Sequence, residues 1–260
     1  MQSQRMVVVG AGPVGSAVAR RAAEQGSAVA VVTRSGGGPD IDGVRLIALD
    51  ERYVERIRAL NAIATHHDPH LSPEGLAQWQ REKVEQWRAS TAQITPSVPP
   101  VPERSTVLGA LRPGGADDIA LHAREREKVA ALVGAGRSIE SIIASADRTR
   151  LAAILDGLET SEDVLSSSQG DAILGERTDA VFARLAEIDD DARAIAEAET
   201  AAAPGQAWQQ MFAETVENGV AGVAAKSALY RSDAAAYDLV ASAEREIDAA
   251  AIERVLRSIG

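Results

Sequence analysis

A short apolar run near the N terminus, Met6–Val9, leads directly into three closely spaced glycines, Gly10, Gly12 and Gly15. The run predicts a buried strand; a helical pattern follows at residues 14–25 and a second apolar run at residues 27–33. Strand, glycine-rich turn, helix and strand form the context in which a G-x-G-x-x-G motif binds the pyrophosphate of a dinucleotide. Few folds satisfy that order, so it constrains this chain strongly.

Each glycine has a separate physical role in this motif. Gly10 permits the tight turn after the strand, Gly12 lets the backbone approach a pyrophosphate, and Gly15 lets the helix pack closely on the strand. The first turn of the helix then offers unpaired N–H groups and a partial positive charge to the phosphates. The alternative interpretation is a glycine turn between strand and helix that binds no ligand.

The residues that end the second apolar run indicate the type of dinucleotide. They are Thr33, Arg34 and Ser35, and none of them is acidic. An NAD or FAD site places Asp or Glu here to accept the ribose hydroxyls, whereas arginine and small hydroxyls suit a 2′-phosphate. NADP is therefore favoured over NAD or FAD, the alternative being that Arg34 is a solvated loop arginine.

The chain changes character near Asp50. Eight of the 21 glycines lie in the first 50 residues, where residues 44–49 form a third candidate strand, and helical periodicity dominates afterwards. We predict a mainly α protein with a small N-terminal α/β (Rossmann-like β-α-β-β) unit and without a complete doubly wound sheet. The predicted division is a dinucleotide-binding unit at 1–50, a helical pair at 51–95, a Pro/Gly-rich connector at 96–116 and a helical domain at 117–260.

Several residues signal where the later helices begin. Ser72-Pro73-Glu74 combines an N-cap serine, a proline at the first helical position and an acid at the positive end of the dipole. Further helix starts are predicted at Asp117, Ser138, Asp147 and Pro204.

Residues 6–50 resemble the N terminus of the atypical or extended short-chain dehydrogenases, the NAD-dependent epimerase/dehydratase-like proteins. The resemblance rests on Gly-Ala-Gly-Pro-Val-Gly at 10–15, Thr-Arg-Ser at 33–35 and Val-Arg-Leu-Ile-Ala-Leu-Asp at 44–50. It implies 2′-phosphate recognition around Thr33, Arg34 and Ser35 and an adenine-side contact near Asp50. It also implies phosphate contacts at Gly10, Gly12, Pro13, Val14 and Gly15.

The catalytic pair of that family is missing from this sequence. Its members usually carry a tyrosine followed four residues later by a lysine that lowers the tyrosine pKa for proton exchange. Tyr53, Tyr230 and Tyr237 are followed at that spacing by isoleucine, alanine and alanine. We therefore assign no catalytic residue and expect an NADP(H)-binding protein with reduced or absent oxidoreductase or epimerase activity.

The remainder of the chain carries a second resemblance. The segments at 51–61 and 68–75 are similar in cadence to helical actinobacterial phage and prophage proteins encoded near head genes, and the likeness extends over residues 50–260. It implies a structural or assembly protein with a vestigial or fused Rossmann segment, associating as a homo-oligomer through its helices. This is the alternative to a cofactor-binding protein.

Other features bear on partners and location. A net charge of −11 disfavours binding to nucleic acid or an anionic membrane, and the chain shows no long apolar span and no signal-peptide pattern. We therefore expect a cytoplasmic protein. His66 and His70 have metal-ligand spacing, but Pro69 between them favours a polar turn between helices, and no metal site is assigned.

Two acidic groups could supply paired carboxylates. They lie at Asp189–Asp191 and at Glu197 and Glu199, and neither has an evident partner in the sequence. We interpret them as a solvated face.

Overall fold

A computed structural model describes residues 5–9, 13–25, 28–33 and 44–259. The chain forms two compact units. The first combines residues 1–99 with residues 202–260, and the second consists of residues 100–201. The boundary between residues 201 and 202 falls within one helix of the chain. The sequence analysis divided the chain into four segments by composition and periodicity, and that division stays a prediction.

The described N-terminal residues include three strands and one helix. The strands are β1 (Arg5–Val9), β2 (Ala28–Thr33) and β3 (Val44–Ala48), and helix α1 spans Pro13–Glu24. The strands are parallel and adjacent in the order β1-β2-β3, with Val9 opposite Val32 and Thr33 opposite Ala48. Their carboxyl ends therefore lie along one edge of the sheet.

From Leu49 to Ile259 the described chain consists of helices and their connections, which confirms the prediction of a mainly helical protein. These twelve helices are α2 (Leu49–Ala64), α3 (Pro73–Ala92), α4 (Arg104–Gly109), α5 (Ala116–Gly134), α6 (Ile139–Ala144), α7 (Arg148–Leu158), α8 (Glu162–Ser166), α9 (Gly170–Ile188), α10 (Asp190–Asn218), α11 (Val223–Ser232), α12 (Ala234–Glu244) and α13 (Ala249–Arg257).

Several of the described helices begin with a side-chain cap, three of them at positions that the sequence predicted. The Ser72 hydroxyl accepts a hydrogen bond from the Gly75 N–H at 3.1 Å, at the start of α3. Ser138 caps α6 in the same way at 3.2 Å, and Asp147 caps α7 at 2.9 Å. A cap satisfies an N–H group that has no partner within its own helix. The sequence prediction is confirmed at all three positions.

One predicted helix start is wrong, since Pro204 lies inside α10 instead of starting a helix. Helix α4 lies within the predicted connector at 96–116, and the bounds of that connector stay a prediction. Proline lacks the N–H that would bond the carbonyl four residues earlier, so it weakens a helix interior. Here the alanine- and glutamate-rich turns before it favour helix, and Trp208 is fully buried one turn after it, so packing outweighs that cost.

The core of the first unit is built on α2. Tyr53 and Ile57 of α2 are fully buried against Trp208 and Phe212 of α10. The Tyr53 ring lies 5.9 Å from that of Trp208 and 5.7 Å from that of Phe212, the latter edge-on. Farther along α2, Leu60 joins a second cluster formed with α3 and α13, whose members include Val84, Trp87, Ile252 and Val255.

The hydroxyl of Tyr53 is the polar centre of this core. It donates to Oε1 of Glu244 at 3.1 Å and accepts from the Thr215 hydroxyl at 3.1 Å and the Ala221 N–H at 3.2 Å. Lys226 forms an ion pair with the other Glu244 oxygen. Burial, above all, raises the pKa of Tyr53, so the phenol stays neutral. One hydroxyl therefore connects α2, α10, α12 and the segment before α11.

Gly219 ends α10 in a conformation that a side chain would disrupt. Its φ of +83° lies in the left-handed region, and its N–H donates to the Thr215 carbonyl at 2.8 Å. A Cβ here would approach Ile252 to 2.6 Å and Leu256 to 2.8 Å. Glycine therefore allows α13 to pack against the end of α10.

The second unit has its own core, formed by α4, α6, α7, α9 and the first part of α10. At its edge Arg104 donates to both Glu199 carboxylate oxygens, at 2.6 and 2.8 Å, and to Asp179 at 2.7 Å. Its guanidinium also lies 4.2 Å above the Phe182 ring. Glu199 is therefore paired, and Asp189 pairs with Arg148, so the interpretation of both acidic groups as an unpartnered solvated face is wrong for these two residues.

We predict that Tyr53→Phe lowers the free energy of unfolding by about 2 kcal/mol, because the buried Ala221 N–H and the Thr215 hydroxyl lose their partner. Urea denaturation measures the change. Tyr230→Phe is the matched control, because this ring is 58% exposed, and we expect a change below about 0.5 kcal/mol. Equal effects of the two substitutions would contradict a structural role for the buried hydroxyl.

Candidate functional site

The predicted cofactor residues fall into two groups. Gly10, Gly12, Arg34 and Ser35 lie outside the described residues. The others are Pro13, Val14 and Gly15 in the first turn of α1, Thr33 at the end of β2, and Asp50, the second residue of α2.

The strand register of the parallel sheet places the backbones of Thr33 and Asp50 at one edge of the sheet. Thr33 is the register partner of Ala48, and Asp50 follows Ala48 by two residues. Val9 at the end of β1 pairs with Val32, one residue before Thr33. The carboxyl edge of a parallel sheet is where α/β proteins place small ligands. The candidate site is therefore this edge, bounded by the ends of the three strands and by the starts of α1 and α2.

Acidic side chains occupy the start of α2. The Asp50 carboxylate accepts from the Glu51 N–H at 2.8 Å, and both acids lie in the first turn, where the helix dipole favours negative charge. A carboxylate at this position can accept hydrogen bonds from hydroxyl or amino groups, and it repels phosphate. The start of α2 therefore suits the sugar or base of a nucleotide better than its phosphates.

Beyond these acids, α2 carries two arginines that the sequence analysis did not single out, Arg52 and Arg56. They lie one helical turn apart on the side that meets α3, where Arg56 donates to the Ser90 hydroxyl at 3.1 Å. The spacing of two like charges four residues apart was the available signal. This spacing alone does not distinguish the pair, because helical proteins contain many exposed arginines at such intervals.

The tertiary structure excludes Tyr53 as a proton donor to a substrate. Its ring is fully buried, and all the polar contacts of its hydroxyl are internal. A lysine does reach this tyrosine indirectly, since Lys226 pairs with the same Glu244 carboxylate. The chain therefore joins the buried Tyr53 to the partly exposed Glu244 and Lys226 in a structural network at the edge of the core.

The histidine segment connects α2 to α3. The His66 ring stacks on Trp79 with 4.1 Å between ring centroids, and the His70 N–H donates to Asp68 at 2.9 Å. Within the described ranges, no three or more His, Asp or Glu side chains are grouped as metal ligands would be. The segment lies between helices, as the sequence pattern indicated.

The second unit contains an open groove of about 980 Å³ between α5, α7, α8 and α9. Val129, Ile154 and Leu158 supply apolar lining. Arg177 at its rim pairs with Asp163, and this contact lowers the pKa of Asp163 to about 2. No residue predicted to bind cofactor lies there. The charged residues that line the groove balance in number, three arginines against three acids: Arg126, Arg137, Arg177, Glu140, Glu162 and Asp163.

We predict that Arg177→Gln raises the pKa of Asp163 towards its ordinary value of 3.8, because the arginine is the main cause of the depression. A folded-state pKa below the unfolded one means that the pair stabilises the fold at neutral pH. That stabilisation is lost as the pH falls from about 4 to about 2.

Carboxyl NMR titration measures this pKa directly. Arg126→Gln is the matched control, because Arg126 lines the same groove but pairs with Asp156, and it should leave Asp163 near 2. An unchanged Asp163 pKa in the Arg177 variant would contradict the assignment.

Comparisons with known proteins do not assign the chain to a family. No protein-family model, no curated protein and no solved structure matches it. No described helix combines the length and apolarity needed to cross a bilayer. The carboxyl edge of the sheet and the arginines of α2 therefore stand on their own chemistry as candidate sites.

Proposed function

We propose that this protein binds NADP(H) at the carboxyl edge of its parallel sheet and has reduced or absent catalytic activity. The glycine motif supplies the expected phosphate contacts, Thr33, Arg34 and Ser35 the expected 2′-phosphate contacts, and Asp50 the adenine-side contact. The likeness of residues 6–50 to epimerase/dehydratase-like proteins points to the same cofactor.

One observation carries the proposal. Helix α1 begins at Pro13, directly after the glycines that follow β1, and β1 is parallel to β2. Strand, glycine segment, helix and parallel strand are the context that gives a G-x-G-x-x-G motif its meaning. The sheet order β1-β2-β3, with β2 between its neighbours, agrees with one half of a Rossmann sheet.

We propose that the protein binds the cofactor and catalyses its reaction weakly or not at all. The sequence lacks a tyrosine with a lysine four residues later, and Tyr53 is enclosed in the core. A bound nicotinamide would therefore lack the family's usual proton donor.

We predict that NADPH raises the Tm of the protein by about 5 °C at a concentration about 100 times its Kd, because binding to the native state alone stabilises it. NADH should give a smaller rise. Gly12→Asp should abolish the shift, since a side chain and a negative charge would meet the pyrophosphate.

Gly175→Asp is the matched control for this experiment, because a Cβ at that position meets no atom within 4 Å, and it should keep the NADPH shift. Differential scanning fluorimetry of the three proteins gives the result. The cofactor proposal fails if the unaltered protein shows no shift at millimolar NADPH.

A second candidate function is self-association as a helical structural or assembly protein, with the N-terminal segment as a vestigial addition. The observation that favours it is an apolar surface on α11 and α12. Val223 and Tyr230 lie two turns apart on one face of α11 and are 82% and 58% exposed. Tyr230 packs edge-on against Tyr237 of α12, with 5.3 Å between ring centroids. A second copy of the chain would cover such a surface.

If this surface is an interface, Tyr230→Glu should convert an oligomer into a monomer, because a buried, unpaired carboxylate is costly. Sedimentation velocity measures the size. Leu165→Glu provides the control, since Leu165 is an exposed apolar residue of the other unit and its substitution should not change the mass. A monomeric unaltered protein would count against assembly.

A further inference from the structure

Arg52 and Arg56 are two like charges largely withdrawn from water. They lie four residues apart on α2, and their side chains are only 17% and 16% exposed. Removing a cation from water costs free energy unless an anion or several acceptors replace the solvent. Two adjacent guanidinium groups add mutual repulsion to that cost.

The acceptors around this pair are too few. Arg52 donates to Glu55 at 2.6 Å, and Arg56 donates to the same carboxylate at 3.4 Å and to the Ser90 hydroxyl at 3.1 Å. Glu55 is itself 55% exposed, so solvent weakens its attraction. The Nε atoms of both arginines are buried and have no hydrogen-bond partner. The Nε of Arg88 on α3 is buried and unpartnered as well. Such donors cost free energy in a protein interior, and a bound anion is one way to satisfy them.

The electrostatics agree with this hydrogen-bond pattern. Burial lowers the pKa of Arg56, the neighbouring Arg52 lowers it further, and Glu55 only partly opposes both. Arg104 in the other unit shows the contrast, because its hydrogen bonds to Glu199 and then to Asp179 raise its pKa. The region around Arg52 and Arg56 therefore lacks negative charge that the chain supplies to Arg104.

The neighbouring helix holds the pair in position. The Trp87 indole donates to the Arg56 carbonyl at 2.8 Å, and the Ser90 hydroxyl that accepts from Arg56 donates in turn to the Trp87 carbonyl at 2.9 Å. These bonds tie α3 to α2 beside the guanidinium of Arg56. Donors held in place before a ligand arrives lose less conformational entropy on binding it.

We infer that Arg52 and Arg56 form a binding site for the phosphate group of a small molecule. Phosphate accepts paired N–H groups from arginine in a bidentate arrangement and supplies the missing negative charge. A polyanion such as nucleic acid fits less well, because the chain carries a net charge of −11.

The site does not depend on the proposed cofactor function. Its phosphate can come from a dinucleotide or from a separate phosphorylated metabolite, and the competition experiment below distinguishes the two. Both sources offer the same chemistry to the guanidinium groups.

Inorganic phosphate tests the site by ³¹P NMR titration of the full chain in chloride buffer. The unaltered protein should bind it, and Arg52→Gln with Arg56→Gln should weaken binding by at least about tenfold, the loss expected for charge-assisted hydrogen bonds. The matched control is Arg58→Gln on the same helix, where Arg58 is 58% exposed and pairs with Glu246, and its affinity should be unchanged.

The unfolding midpoint without phosphate separates a binding role from a structural one. Relief of charge repulsion should leave the midpoint of the double glutamine variant unchanged or raise it. A lower midpoint with undiminished phosphate binding would overturn the inference, as would an unaltered protein that binds no phosphate. If the double variant does not fold, the single variants Arg52→Gln and Arg56→Gln replace it, and undiminished phosphate affinity in both would also overturn the inference.

Competition identifies the source of the phosphate. Displacement of inorganic phosphate by NADPH from the unaltered protein would assign the site to the dinucleotide. Phosphate binding that NADPH does not displace would assign it to a separate metabolite. If NADPH produces no effect of any kind, the cofactor proposal fails while the phosphate titration still decides the arginine site.

Discussion

Helix α2 contributes to both hydrophobic clusters that its residues form with α3, α10 and α13 in the first unit, so the packing of that unit depends on the position of α2. Ala48 is both the last residue of β3 and the N-cap of α2, so no loop separates the sheet from the helical core. Tyr53, one turn later, bonds the buried Thr215 hydroxyl, the buried Ala221 N–H and the half-buried Glu244 carboxylate with a single hydroxyl, while its ring fills the aromatic core. Because leaving such groups unpaired in a protein interior is costly, this contact determines how the helices of the unit pack around α2.

The same helix carries a change of charge along its length. Asp50 and Glu51 lie in its first turn, and the largely buried Arg52 and Arg56 share the carboxylate of Glu55. The dinucleotide proposal and the arginine inference therefore meet on α2, although each has its own test.

In the second unit, arginines that stabilise the fold are paired with carboxylates. Arg104 donates to the carboxylates of Glu199 and Asp179 and lies over the Phe182 ring. Arg177 pairs with Asp163 at the groove. The contrast with Arg52 and Arg56 is the main reason to regard that pair as functional. The groove itself, apolar inside and balanced in charge at its rim, offers no comparable excess of donors.

Local chemistry was readable from the amino-acid order alone. Apolar periodicity predicted the mainly helical chain, and Ser72, Ser138 and Asp147 marked helix starts because a cap involves residues only a few positions apart. Pro204 shows the limit of that logic, since burial of distant side chains such as Trp208 overrode a local signal.

Long-range pairing was decided by the tertiary structure. Tyr53 meets Thr215 and Glu244, and Arg104 meets Glu199, across separations in sequence that no periodicity encodes. The sequence likewise does not show that Arg52 and Arg56 lack hydrogen-bond acceptors. Their burial and their unpartnered Nε atoms depend on the residues that pack around them, such as Ser90 of α3. Sequence order determines which local structures can form, and packing determines which polar groups lose contact with water.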